Sequence, residues 1–568
     1  MSVVQKAGKL RDIHSFLPSA GDHPVTVTVP SYAWTYSRID GQDVECWCAG
    51  VPEGLDQIIG LFLKRDFGGI SEILKRSSSH FGLILRSGGA IFAAVDKIQS
   101  FPVFFECEDS QLKIVSADGR VFRNPSYSTS FNRDTAELFR ATGYCFGGDT
   151  LLNNVRRLRP GELLYQGEGA VELLRYYVYQ PRFSDESNEK GQLVSQLGDV
   201  LNGIVGELLA RNRDKTVLLS LSAGLDSRLL LGKLVEHGCR DLIAFSYGAS
   251  GNMEATEAEK FAKSLGVKWR FLPETKSDLA DFRNGNGAEY LRFSSGVHTS
   301  PVFTEYYALK QLAELGYSRK NAVVVNGQSG DFITGGHLSP VKNFSDLSQV
   351  LSKKHFSLMH KLGEYPQGNL EGEAWLRQWA EDNDFDIEDY SENDLFSLHL
   401  HFEWQERQSS YIVNQQRACD WFDLAWEMPL WSPKLMDFFA EVPIELQLKQ
   451  ELYKTYLQSW NFGRLFDTIR APYDPWNKYK VAIVNTGRAI GLLFGAKIKN
   501  KFYQRAMYIS DQSYIYRFFS AAFYLKYCSQ IRNPATLFAF AGLVAMKRDV
   551  GVQPEGAFES AFSEMNKF

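Results

Sequence analysis

Val217 to Arg228, VLLSLSAGLDSR, is the stretch that decides the fold. Thr216 to Leu221 is an apolar run of the kind that forms a buried strand, and a helix is expected from about Ser227 to His237. The small residues between them let backbone N–H groups approach an anion, and the start of the helix adds further donors and a partial positive charge. The result is a phosphate cradle at the carboxyl end of a strand, where open α/β sheets take their ligands. Ser222, Gly224 and Ser227 are its candidate contacts, with Arg228 as an adjacent cation. No Gly-Lys-Ser/Thr follows, which excludes the kinase-type loop. Asp226 would repel phosphate by itself, so it makes sense as a ligand for Mg²⁺, which takes carboxylate and phosphate oxygens together.

A second carboxylate should then sit at the end of another strand. Asn326 to His337, NGQSGDFITGGH, supplies Asp331 directly after the apolar run Ala322 to Val325. Between the two loops, strands are expected at Leu242 to Tyr247 and Lys268 to Leu272. Helices are expected at Leu193 to Leu209, Glu254 to Leu265 and Pro301 to Leu315. This alternation predicts a doubly wound parallel sheet with helices on both faces. From Leu395 onward the chain is expected to be mainly helical and is rich in aromatic residues.

These residues resemble the asparagine synthetase family, whose nucleotide-binding half is an ATP pyrophosphatase domain. The family's Ser-Gly-Gly-Leu-Asp-Ser motif is similar to Ser222–Ser227, with Ala223 in place of one glycine. Its Ser-Gly-Glu-Gly-x-Asp-Glu-x-x-Gly-Gly-Tyr motif is similar to the Asn326 loop, which keeps Gly327, Asp331, Gly335 and Gly336. Ile243 to Gly266 resembles the family's second strand and helix, and implies a nucleotide contact at Ser246. The resemblance implies ATP and Mg²⁺, the metal held by Asp226 and Asp331. It also implies an acyl-adenylate, opened by ammonia or an amine to give an amide, with water kept out by a closed channel between domains.

The first ~180 residues carry short β-type runs, among them Thr26 to Val29, Phe81 to Leu85, Ile91 to Val95 and Val103 to Phe105. Val95-Asp96 with Phe101 to Phe105, and Tyr144 to Gly161 with its Leu-Arg-Pro-Gly turn, resemble a class-II glutamine amidotransferase domain, which implies an Ntn-hydrolase-like fold. The expected division is residues 1–180, a polar linker at 181–192, and a synthetase domain over 193–568 that becomes helical after about 390.

The departures from the family are chemical. Its glutaminase nucleophile is a cysteine at residue 2, whose own α-amine is the base. Residue 2 here is serine, so glutaminase activity is expected to be lost. The family's glutamate in the second motif is Gln328, which cannot take a proton from an amine. Where the family has Arg-x-Lys, this chain has Arg470-Ala471-Pro472. Lys478, Lys480 and Arg228 are the candidates to replace that lysine's charge. His337 stands in place of a family tyrosine, as a possible contact, and His298 is close in sequence to the same site. The departures leave two alternatives open: an intramolecular cyclase of the lasso-peptide or β-lactam type, and a non-catalytic scaffold.

Composition narrows the setting. At 568 residues, 44% hydrophobic and 23% charged, with formal net charge −5, the chain reads as two or three globular domains and offers no global charge for nucleic acid. Met1 to Leu10 has two lysines and no long apolar run, so no secretory signal is expected. The dilute cysteines read as reduced, cytoplasmic thiols. Cys46 and Cys48 are expected on one face of a strand rather than on a metal. Lys478 to Arg505 contains seven Lys or Arg and no acid, and could touch an anionic membrane surface, although a solvated basic helix face is the simpler expectation. Trp421, Trp426 and Trp431 are expected to be packing residues. The partners expected are a small-molecule or peptide carboxylate and an amine donor.

Overall fold

The computed structural model describes residues 13–16, 25–39, 41, 43–124, 130–183, 189–275, 277, 278, 281, 282, 285–356, 373–469, 486, 526, 534–554, 559 and 560. Lys478, Lys480, the basic stretch to Arg505, Ser2 and residues 184–188 of the expected linker lie outside the described residues.

The amino-terminal half is β-rich, as expected. One sheet is antiparallel throughout and joins, in spatial order, β11 (Glu172–Arg175), β10 (Glu162–Gln166), β6 (Ala90–Val95), β5 (Gly82–Ser87), β4 (Val44–Ala49) and β3 (Trp34–Ile39). The other joins β1 (Ile13–Phe16), β2 (Thr26–Pro30), β8 (Gln111–Ser116), β7 (Phe104–Glu108) and β9 (Val155–Arg157), with β2 and β8 parallel.

The two-residue period of a strand sorts the side chains into layers. Val44, Cys46, Cys48, Leu83, Leu85, Phe92 and Ala94 point one way, onto Ile58, Ile59 and Phe62 of helix Leu55–Leu63 and Ile70 and Leu74 of helix Phe67–Arg76. Cys46 and Cys48 are thus two members of one buried face. Trp47, Ile84, Ile91 and Ala93 point the other way, into the core that also contains Val27, Phe105 and Val115 of the second sheet. Beyond that sheet, Phe104 and Ile114 share a core with Phe139 of helix Arg133–Thr142 and with Leu543 and Met546 of helix Pro534–Asp549. The layering is helix, sheet, sheet, helix, as an Ntn-hydrolase-like arrangement requires. Its outer helical layer is completed by a helix from the far end of the chain. Asp549 holds that helix to Arg123 at 2.9 Å and Arg292 at 3.1 Å.

The third sheet is wholly parallel, in the order β14 (Lys268–Pro273), β13 (Leu242–Gly248), β12 (Thr216–Ser220), β15 (Ala322–Val325), β16 (Ala425–Glu427). Starting from the central β12, the chain adds β13 and β14 on one side and then returns to add β15 on the other. The order therefore reverses between β12 and β15, and the crevice beyond their carboxyl ends is the place for a ligand. Strand β16 is an addition to the sequence expectation. Helix Lys190–Arg211 is long and apolar enough to cross a membrane by length and composition, but its Leu193, Leu197, Leu201, Ile204, Val205 and Leu208 are buried in the core.

The helix expected from Pro301 begins instead at Tyr306. The preceding backbone is committed elsewhere: the Ser300 amide donates to Gly143 at 2.8 Å, and Thr299 forms a β-bridge with Tyr144. The residue before a proline is also biased toward extended backbone. Downstream of residue 391 the described chain is mainly helical, including the π-helix Glu403–Ile412.

Candidate functional site

The two loops singled out in the sequence leave β12 and β15 side by side. The first is folded on its own serines: the Gly224 amide donates to Ser222 Oγ at 3.1 Å, and the Ser222 amide donates to Ser227 Oγ at 3.1 Å. Helix Leu225–Glu236 starts at Gly224 without a side-chain cap, which leaves its first turn suited to an external anion.

The second loop presses directly on the first. A Cβ on Gly327 would stand 2.8 Å from Asp226 Cβ, and one on Gly330 would stand 2.8 Å from Asp226 Cγ. Only glycine permits that approach, so the glycine pattern is the physical reason the two aspartate-bearing loops can meet. Gly335, at φ +88, instead abuts the Gln447 carbonyl, and Gly336 packs against the Asp331 carbonyl and Gln450; these two close the second loop onto the helical part.

Asp226 accepts a hydrogen bond from the Tyr453 hydroxyl at 2.7 Å. Burial pushes its pKa up to about 7; Tyr453 pulls the other way and the Asp331 charge adds to the rise. A buried carboxylate short of positive charge fits a cation-binding role. Mg²⁺ would be held here by Asp226, with Asp331 beside it.

Asp331 lies at the mouth, its side chain 59% exposed, and its Oδ2 meets His337 Nε2 at 3.0 Å. Burial opposes ionisation of Asp331, but the His337 contact outweighs it and holds the carboxyl below its ordinary value. His337 Nδ1 meets Glu403 Oε2 at 3.1 Å. Burial disfavours the charged imidazole too, yet its two carboxylate partners hold the pKa above the usual histidine range. Glu403 is fully buried and is also contacted by Lys354 and by His355, the latter at 2.9 Å. Burial works against its charge, but the contacts with His355, His337 and Lys354 keep it well below the usual carboxylate range.

The remaining expected site residues occupy structural places. Arg228 is buried, donating from Nε to the Gly224 carbonyl at 3.1 Å and from Nη1 to the Leu465 and Thr468 carbonyls at 2.9 and 3.0 Å, with Phe261 and Phe466 near its guanidinium. Ser246 donates to the Leu221 carbonyl at 2.7 Å and accepts from Trp269 Nε1 at 3.0 Å, binding β13 to the start of the first loop. Gln328 donates to Gln415 and accepts from Gln416, each at 2.6 Å, which uses both ends of its amide in a way a carboxylate could not. His298 lies away from these loops, buried in a small cavity with Gln99, Ser100 and Arg417 between the two halves of the chain. Trp421, Trp426 and Trp431 are core residues. Among the described residues no group of three or more His, Cys, Asp or Glu could hold a metal by itself, so a cation here would also need oxygens from its ligand.

Tyr453, Lys354 and Glu403 were not singled out from sequence. The available signal was Glu403 itself, the one acidic residue within the run Leu395 to Trp404, which is otherwise apolar and aromatic apart from Ser397, His399 and His401. Buried charges are paired, so its partners had to exist, although nothing local names them.

Residues 197–465 match the family model for asparagine synthase, and over that span the chain is asparagine synthetase-like. No curated protein matches the sequence. Among solved structures, the glutamine phosphoribosylpyrophosphate amidotransferase of B. subtilis complexed with ADP and GMP is 10% identical, over 51% of this chain and 57% of that one, at a TM-score of 0.16. The structure described as the allosteric regulatory enzyme of purine biosynthesis is 10% identical, over 57% of this chain and 59% of that one, at a TM-score of 0.16. This chain thus spans less than two thirds of either, and likenesses at this score bear on neither fold nor function.

Proposed function

We propose that residues 197–465, an asparagine synthase domain, activate a carboxylic acid with ATP and join it to ammonia or an amine. The single observation that carries this reading is the contact of Gly327 and Gly330 with Asp226, which brings the two aspartate loops to one crevice at the reversal of strand order.

The chemistry follows from the placement of charge. The uncapped first turn at Gly224 and the Ser222 and Ser227 hydroxyls receive phosphate oxygens. Mg²⁺ bound at Asp226 and Asp331 would supply neutralisation of phosphate charge. An oxygen of the acid attacks the α-phosphorus, pyrophosphate leaves, and the mixed anhydride is opened by nitrogen with loss of AMP and a proton. Gln328 cannot accept that proton, and its amide is already engaged at both ends. Free ammonia or an amine is the donor proposed.

Calorimetric titration of the full chain with ATP and Mg²⁺ tests the reading, with Asp226→Ala as the control. Metal-dependent binding that the variant loses is expected. Absence of binding to the unaltered chain would favour a scaffold that keeps the fold without the reaction.

A further inference from the structure

Helix Glu451–Trp460 touches both aspartate loops from one end. Its Tyr453 hydroxyl donates to Asp226 Oδ1 at 2.7 Å. Gln450, the residue that opens the helix, donates from Nε2 to Thr334 Oγ1 at 2.7 Å. Thr334 in turn donates to the Gly330 carbonyl at 2.7 Å, so this bond grips the helical turn that carries Asp331. Gln450 and Tyr453 stand at the N-cap and third positions of the helix, whose side chains are neighbours. One element therefore holds a residue of the first loop and the turn of the second.

The backbone is arranged to make the second grip. Lys449 and Gln450 are consecutive non-glycine residues in the left-handed region, at φ +57 and +61. The Cβ disfavours that conformation, which persists only where surrounding contacts over-determine it. Before the turn, Gln447 is fixed by donating to the Phe439 and Val442 carbonyls at 2.7 and 2.8 Å. After it, the helix is wedged. Tyr456 packs against Gly198 of helix Lys190–Arg211, where a Cβ would stand 3.2 Å from the ring, and the Trp460 indole donates to Glu236 at 3.0 Å. The close glycine contacts at Gly327 and Gly330 let the two loops approach but fix no carboxylate direction; the two hydrogen bonds from this helix do.

We propose that Gln450 and Tyr453 are positioning residues that fix the separation of Asp226 and Asp331, and so make the site selective for Mg²⁺ over larger divalent cations. The inference rests on the ATP-activation reading, which assigns Mg²⁺ to these two aspartates. Mg²⁺ demands near-ideal octahedral geometry with oxygens at about 2.0–2.1 Å, whereas Ca²⁺ takes more ligands at about 2.3–2.6 Å in looser arrangements. A fixed spacing suits the first ion. A spacing free to relax accommodates the second at least as well.

The test is calorimetric titration of the full chain with ATP in excess Mg²⁺ and, separately, in excess Ca²⁺. Tyr453→Phe removes only the hydroxyl, and Gln450→Met keeps the side-chain length and removes the donor. Each should weaken binding roughly tenfold with Mg²⁺, and by no more than about threefold with Ca²⁺. Thr334→Val removes the Gln450 bond from its other side and should match Gln450→Met, which keeps the test open if one of the two fails to fold. Because both bonds must hold for the spacing to be set, the Tyr453→Phe/Gln450→Met double variant should lose little more than the weaker-binding single one. Equal losses with both ions would overturn the inference, since a change in carboxylate basicity or a general loosening moves them together. Losses that multiply in the double variant, or Mg²⁺-dependent binding indifferent to every change, overturn it too and leave the ATP reading intact. Absence of ATP binding to the unaltered chain with either ion would sink that reading and this inference with it.

Discussion

Tyr453 donates its hydroxyl proton to Asp226 across 2.7 Å, tying helix Glu451–Trp460 to the first residues of helix Leu225–Glu236. The tyrosine orients the carboxylate and relieves part of its burial, without supplying a positive charge.

That relationship has a pH signature. Asp226 has a pKa near 3.8 when unfolded and about 7 when folded, chiefly through burial. A group raised on folding keeps its proton longer in the folded state, so its contribution is full at low pH and is lost as pH rises from about 4 through about 7. Asp226→Asn has the shape without the charge and should be more stable than the unaltered chain at about pH 8, by on the order of 3 kcal/mol. Urea unfolding across this window in the absence of ligand is the measurement. Parallel stability curves for the two proteins would contradict it.

Gly330→Ala should damage the site more than the fold. Its Cβ would meet Asp226 Cγ and Leu430 Cδ1, each at 2.8 Å. Such overpacking costs about 1–3 kcal/mol. The added methyl also pushes the two aspartate loops apart, so the affinity for ATP with Mg²⁺ should fall by roughly tenfold or more. Calorimetry alongside urea unfolding separates the two effects.

Arg228→Lys should destabilise the chain by about 2–4 kcal/mol even though charge is preserved. Lysine cannot reach the Gly224, Leu465 and Thr468 carbonyls together, nor present a flat face to Phe261 and Phe466. A variant as stable as the parent in chemical denaturation would show that these contacts contribute little.

Asp549→Ala should loosen the carboxyl-terminal helix from the β-rich half. Arg123 is buried, and desolvation lowers its pKa to about 10 in opposition to the Asp549 charge. Removing that carboxylate leaves a buried cation uncompensated, at a cost of about 3–5 kcal/mol. Faster proteolysis after residue 533, with the parallel-sheet half still resistant, is the expected readout.

Much of the two-loop arrangement was legible because it is local. A strand, a small-residue turn and a helix follow one another within Val217 to Arg228, and Asn326 to Asp331 repeats that arrangement. Arg228 shows the limit: its position next to the loop suggested ligand contact, whereas a side chain of that length reaches back to carbonyls more than two hundred residues away in sequence. His298 was close to the site in sequence and is not part of it, because its segment pairs with Tyr144 and Cys145 instead of entering the crevice.

The amino-acid sequence by itself determined the strand-and-helix alternation and the two aspartate loops. Periodicity, turn chemistry and residue type are properties of a few consecutive positions. Tertiary structure alone decided that Glu403 would gather Lys354, His355 and His337 around it, and that helix Pro534–Asp549 would complete the outer layer of the β-rich half. Each of those depends on the need of a buried charge or an apolar face for partners, and the partners come from segments far apart along the chain.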